Sequence, residues 1–478
     1  MNYTFDENNA IGIRYSYDKT PENSMNMVLH TQVFRDNSLI ENTVSPNLEI
    51  DKEDTHQLNV YYIGQLNRWS IDLNLDSYWS DIHKENSIDE VTRLPDQSEE
   101  NRVVSTFNDV ANALYAARLI LSRPVGGGEL SLGGEYTYTH RDNTFVNPEG
   151  IINDDNSRIR ENMGAFFAEY GRSFGIVQMQ AGLRYEYTSS DYYEEGRRME
   201  EQSKTYNDLF PTFSLSFPIR RVNIQLAYRT DIARPSYWNL RSNVLYANKY
   251  TYETGNPLLK PTLTQNVTLG ATYRWMQLTA GYNRIKNQVI NVTSLYDEEN
   301  PTIMLMSLAN APAYDKVFAG LTLSPTIGLW HPQWRLQVTR QGYNVQTPQG
   351  LLELHRPMGT FVWNNNFLLP WGVLLDADFS YRTKGDMQNG RFLEPSWRAD
   401  LSLQKSFLDD NLNIRFDALN MLDSYKRDFI MYVSDMQTMR MDEKSTHCSF
   451  KLTLRYKINA TKSKYKGTGA GESQKSRM

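Results

Sequence analysis

Residues 252–275 read YETGNPLLKPTLTQNVTLGATYRW. The stretch opens with a Gly255-Asn256-Pro257 turn, passes Pro261 and then alternates without a break. Val267, Leu269, Ala271 and Tyr273 are apolar, while Asn266, Thr268, Gly270, Thr272 and Arg274 are polar or small. Successive side chains on a strand point to opposite faces, so this is a strand with one greasy face and one wet face.

The pattern recurs along the whole chain. Ile11, Ile13, Tyr15 and Tyr17 flank Gly12, Arg14 and Ser16, and Leu58, Val60 and Tyr62 lead through Asn67-Arg68 to Ile71, Leu73 and Leu75. Val177 to Tyr187, Val222 to Tyr228 and Leu412 to Ala418 repeat it. No helical periodicity of any length is present, which predicts an all-β protein of paired strands.

Composition narrows the setting. With 40% hydrophobic and 22% charged residues and a mean hydropathy of −0.59, no stretch reaches the roughly 18 apolar residues of a membrane helix. A transmembrane barrel hides its apolar band in every second residue, so this average is compatible with one. The 30 Tyr against 19 Phe and 9 Trp favour rings with one apolar and one wet end, as at membrane interfaces. A single cysteine, Cys448, excludes an intrachain disulfide framework, and seven scattered His argue against a metal cluster. The net charge of −6, without a Lys/Arg stripe, gives no nucleic-acid surface. The opening MNYTFDENNA lacks a basic start followed by an apolar core, so no signal peptide is expected in this chain.

The connections sort into two kinds. Short ones are read at Asp36-Asn37-Ser38, Asn67-Arg68, Arg123 to Gly128, Arg172 to Phe174, Pro218 to Arg221, Trp275-Met276, Pro325 to Trp334, Pro370-Trp371 and Asp409-Asp410. Long polar ones are read at Ser80 to Arg102, Arg141 to Ser157, Ser190 to Thr205, Thr230 to Pro261 and Ser424 to Ser445. Short turns on one rim and long loops on the other describe an up-and-down transmembrane β-barrel with periplasmic turns and extracellular loops. Trp69, Phe174, Phe217, Trp275, Trp334, Trp371 and Phe407 sit beside short turns, the expected place of a periplasmic aromatic girdle. The alternative reading is strand ends closing the mouth of a soluble barrel. The crossings number about 20 to 22, a size associated with plugged transporter barrels. On parity, Met1 to Phe5 is the tail of a descending strand, so the barrel is expected to lack its first strand or strands. Residues 1–458 form the barrel, and 459–478 form a polar, basic tail.

These residues carry a family resemblance. GNPLLKP at 255–261, IARPSYWNL at 232–240 and FDALNMLD at 416–423 resemble segments of the barrel domain of TonB-dependent outer-membrane receptors. The end of the chain, from Tyr456, is similar to that of the outer-membrane barrel subfamily of Bacteroidetes-type bacteria. The resemblance spans nearly the whole chain and implies a Gram-negative outer-membrane location, outer-membrane lipid as surroundings, and partnership with a plug domain and TonB in the full-length form. No plug or TonB contact is read in these residues, so a passive pore and a surface adhesin or assembly barrel stay open as alternatives.

No catalytic constellation, cofactor motif or metal site is read, and an enzyme is not expected. GGGE at 126–129 lacks the Lys-Ser/Thr and helix of a phosphate loop and reads as a hairpin turn. The acidic runs 153–156, 192–201 and 297–300 could hold calcium, but their spacing fits no EF-hand and solvated loops are the default. Tyr192, Tyr193, Tyr237, Trp238, Tyr246, Tyr250 and Tyr252 are candidates to stack on an extracellular ligand, against the alternative that they pack on one another. Arg14, Asp72, Asp76, Glu135, Arg184, Glu186, Arg274, Arg398, Asp400, Arg415 and Asp417 face inward on this register. A lumen so charged is expected to hold water or a folded plug.

Overall fold

The computed structural model describes residues 1–297, 302–435, 437–444, 447–458 and 465–478. Among them, one antiparallel sheet of twenty strands makes the body. It begins with β1 (Asn2–Thr4), β2 (Ala10–Arg35), β3 (Ser38–Leu66), β4 (Trp69–Arg93), β5 (Glu99–Val125), β6 (Gly128–Val146), β7 (Asp155–Phe174) and β8 (Val177–Glu194). The stub β9 (Arg197–Arg198), β10 (Lys204–Ile219) and β11 (Val222–Ala233) follow. The hairpin β12 (Val244–Asn248) and β13 (Thr251–Thr254) leaves the wall, which resumes at β14 (Thr262–Tyr273) and runs on to its last strand, Ser449–Tyr456.

The opening stretch is β14, and its register keeps like with like. Leu269 faces Leu226 and Ala271 faces Ile224, while Asn266 faces Arg229 and Gly270 faces Gln225. A slip of one residue would exchange the two faces, so the alternation rules out every odd shift of this register. The same sorting closes the far end: Phe416 pairs Leu452 and Ile414 pairs Leu454, with Asp417 opposite Lys451.

One face of the wall is apolar and exposed, with Leu119, Tyr136, Phe166, Leu183 and Leu269 among its side chains. The other carries Asn74, Asp76, Glu161 and Glu186, buried although polar, and Glu135, partly buried. The sheet curls with this polar face inward. Lys249, in the connection after β11, reaches over the interior to Glu41 on β3, seven strands away in the ladder (Nζ–Oε2 2.5 Å). Among the described pairings, β1 and Ser449–Tyr456 each have one neighbour. In hydrocarbon such edge groups must be paired, with each other or with another strand.

Short turns fall at one rim with positive φ where the chain reverses, as at Asn67, Arg220 and Arg274. Gly126 and Gly127 have φ +60° and +79° in the β5–β6 turn, the left-handed values that a two-residue hairpin demands and that glycine adopts at no steric cost. Trp69, Phe174, Phe217, Trp275, Trp371 and Phe407 lie beside this rim. Trp334 stands four residues inside its strand, Trp330–Gln341, edge-on to Trp330 at 5.8 Å.

Two sequence expectations are corrected. The Asp36-Asn37 turn is short but lies on the opposite rim, at the tip of the long β2–β3 hairpin. The segment 80–102 is strand rather than loop, with only 94–98 turning between β4 and β5. The physical reason is the same for both. Above the membrane a ladder can continue in water without an apolar face, so the greasy alternation stops while the pairing does not. Three small sheets complete that rim. Two have four strands each and one has two, and the first combines β12 and β13 with Val289–Leu295 and Met304–Asn310.

The register predicts an asymmetry between neighbours. Leu452→Arg should place a charge on the lipid face at a cost of about 2–4 kcal/mol at mid-membrane and block assembly, whereas Thr453→Arg, beside Arg415 on the inner face, should assemble. Heat-modifiable migration after refolding reads both, and equal behaviour would reject the register.

Candidate functional site

The connection from 234 to 261 returns over the interior and is tied to the wall by three carboxylates. Tyr237 Oη donates to Glu161 Oε1 on β7 (3.3 Å), Tyr246 Oη to Glu90 Oε1 on β4 (3.0 Å), and Tyr250 Oη to Glu41 on β3. Two apolar clusters back these bonds. Tyr246 and Tyr252 pack with Ile88, Val104, Phe145 and Ile152, and Tyr192 and Tyr237 pack with Ile159. Burial pushes the Tyr237 and Tyr246 phenols well above their ordinary range. Burial, and then Glu41, does the same for Tyr250.

The seven aromatic candidates therefore split. Tyr192, Tyr237, Tyr246 and Tyr252 are buried; the Tyr192 hydroxyl donates to Ser242 Oγ (2.8 Å), and Tyr252 packs against Tyr296 with centroids 4.7 Å apart. Trp238 keeps 40% of its surface exposed. The Arg241 guanidinium lies 4.0 Å from the Trp238 ring centre and Lys84 Nζ lies 6.0 Å away. Tyr193 is half-buried beneath Arg160, 5.5 Å away. Burial draws the Arg241 guanidinium down to about 10, which still leaves it cationic at neutral pH.

The acidic runs serve the loops themselves. Asp154 accepts the Asn147 backbone N–H (2.7 Å) and Asp155 accepts the Ser242 hydroxyl (2.6 Å). Of the run 297–300, only Asp297 lies within the described residues. Among the described residues no group of three His, Cys, Asp or Glu side chains is placed to hold a metal ion. Sequence reasoning missed the cations over Trp238 and Tyr193, and the anchoring roles of Glu41 and Glu90. Lys84 and Trp238, Arg160 and Tyr193, and both anchoring pairs join residues far apart in the chain, so no local spacing announces them. Arg241 stands only three residues from Trp238, and that spacing was the one local signal. It also missed residues 465–478, which lie against the inner face of β3 to β7.

An antiparallel wall that is apolar outside, charged inside and covered by long connections on one rim defines an outer-membrane β-barrel. The chain belongs to the outer membrane protein beta-barrel family, whose model matches residues 65–456, and its place is the Gram-negative outer membrane. Among solved structures it is similar to the ferric enterobactin receptor PfeA of Pseudomonas aeruginosa (TM-score 0.52, 13% identity, 95% of this chain and 82% of that one). It is also similar to the ferric-catecholate import receptor Fiu of E. coli K12 (0.52, 12%, 95% and 78%) and to the outer membrane transporter YddB of Escherichia coli (0.50, 12%, 96% and 74%). At these identities the likeness is one of fold. No curated protein matches the sequence.

Truncating Tyr246 to Ala removes a buried ring and a bond to Glu90, a change that costs about 3–5 kcal/mol for large buried aromatics. Limited proteolysis should then cut within 234–261 while the wall stays resistant. Trp238→Ala, an exposed ring, should leave the cutting rate unchanged.

Proposed function

We propose that this chain is the barrel of an outer-membrane receptor that captures a solute on its long connections and passes it through the lumen, with TonB and a plug domain coupling energy in the full-length form. One observation carries the reading. The connection 234–261 is an anchored cover, held across the interior by Glu41, Glu90 and Glu161, and it leaves Trp238 40% exposed beside Arg241 and Lys84, the latter also paired with Asp51 at 3.2 Å. A passive pore has no need of such a cover. Trp238 is the ligand-facing ring, held in place by Tyr192, Tyr237, Tyr246, Tyr250 and Tyr252, whereas Tyr193 shares the outward face of Leu183 and Tyr185 on β8. An aromatic face flanked by Arg and Lys suits an anionic, ring-bearing solute, which can stack and pair its charge at once. The fold likeness to receptors for ferric enterobactin and ferric catecholates supports an iron chelate of that class as cargo.

The test is a titration of the purified protein with a ferric catecholate chelate, followed by Trp fluorescence. Saturable quenching is expected, with Trp238→Ala weakening it about tenfold, as for loss of an aromatic contact worth about 1.4 kcal/mol. No saturation, together with steady conductance in a planar bilayer, would favour the passive pore. TonB dependence is read separately, by comparing uptake through the full-length protein in cells with and without TonB.

A further inference from the structure

Residues 465–478 occupy the side of the wall that an uptake path needs. Four consecutive backbone N–H groups are held there. Thr468 and Gly469 donate to Asn74 Oδ1 (3.1 and 3.0 Å), Ala470 to Asp76 Oδ2 (2.9 Å) and Gly471 to Glu135 Oε1 (3.0 Å). The first two N–H groups thus meet a neutral amide oxygen and the next two meet carboxylates of the wall. Two cations follow. Lys475 Nζ lies 3.2 Å from Asp76 Oδ1, and the Arg477 guanidinium lies 2.5 Å from Glu161 Oε1 with both side chains buried. Unpaired buried carboxylates are strongly unfavourable, and these gain their counter-charge from the segment.

The fit is steric as well as electrostatic. Gly471 has φ +71°, and a Cβ there would stand 2.8 Å from Ala116 Cβ, a distance that no side chain tolerates without a shift. At its far end the segment is locked beneath the outer cover. Tyr237 donates its backbone N–H to the Arg477 carbonyl (3.0 Å), and the Arg477 guanidinium stacks 4.3 Å from the Tyr237 ring centre.

We propose that the inner wall formed by β4 to β7 is a peptide-binding site for a glycine-rich segment bearing two cations. Residues 465–478 fill it as a built-in stopper, clamped under the 234–261 connection by Arg477. Movement of the connection on capturing a solute would loosen the clamp, so the same loop serves capture and opening. The inference needs the barrel but not any particular cargo.

Thiol tagging of the chain in detergent tests the seating. Cys448 is exposed and Ala470 is 1% exposed, so Ala470→Cys should accept its second maleimide tag slowly when folded. Adding Lys475→Glu and Arg477→Glu should bring that tag on at least tenfold faster. In planar bilayers the charge-reversed chain should conduct several-fold more than the parent, and a synthetic peptide of residues 465–478 should restore the low level. Gly471→Val is a second release variant that leaves the wall untouched. Tagging of the introduced thiol equally fast with and without the charge reversals would overturn the proposal, as would unchanged conductance in both release variants. Failure of chelate binding at Trp238 would overturn the uptake reading and leave the stopper standing.

Discussion

Everything in this structure depends on the absence of a hydrogen-bond partner in hydrocarbon. A backbone N–H or C=O facing lipid costs several kcal/mol, so a chain without long apolar helices can cross only as a continuous ladder of strands. That constraint explains why the pairings from β1 to Ser449–Tyr456 follow one another around the wall. It also explains the alternation, because each strand must show lipid an apolar side chain at every second position and is free to show the lumen anything else.

The freedom of the inner face creates the second problem. Asp76, Glu135, Glu161 and Glu186 are removed from bulk water, and each takes a partner from elsewhere in the chain. Arg184 and Arg234 pair with Glu186, Arg184 also pairs with Glu135, Lys475 with Asp76 and Arg477 with Glu161. The outer cover obeys the same logic, with the phenols of Tyr237, Tyr246 and Tyr250 satisfying wall carboxylates while the Tyr237 and Tyr246 rings pack in two separate apolar clusters. Buried charge is thus what binds the cover and residues 465–478 to the wall. The two meet directly at Arg477 and Tyr237.

The candidate site was only half legible. Aromatic enrichment in 192–252 marked segments that gather at the outer rim, because rings with a polar end are enriched wherever a surface is partly wet. It did not separate Trp238, exposed under Arg241, from Tyr246, buried against Glu90, since both are aromatic residues in polar surroundings. Burial depends on which strand a loop folds back over, and that partner lies 156 residues away for Tyr246 and Glu90.

By itself the sequence determined the all-β class, the inward and outward faces of strands such as β11 and β14, and the rim of short turns. All of these follow from period two and from local turn chemistry, which are properties of neighbouring residues. It misplaced the Asp36-Asn37 turn and took 80–102 for a loop, because a ladder standing in water carries no apolar signature. Only the tertiary structure decided which aromatic rings remain outside, which carboxylates hold the cover, and that residues 465–478 lie within the wall. Those outcomes rest on contacts between residues far apart in the chain. Their energies come from desolvated charge and close approach, which appear only once the sheet has curled and closed off the water.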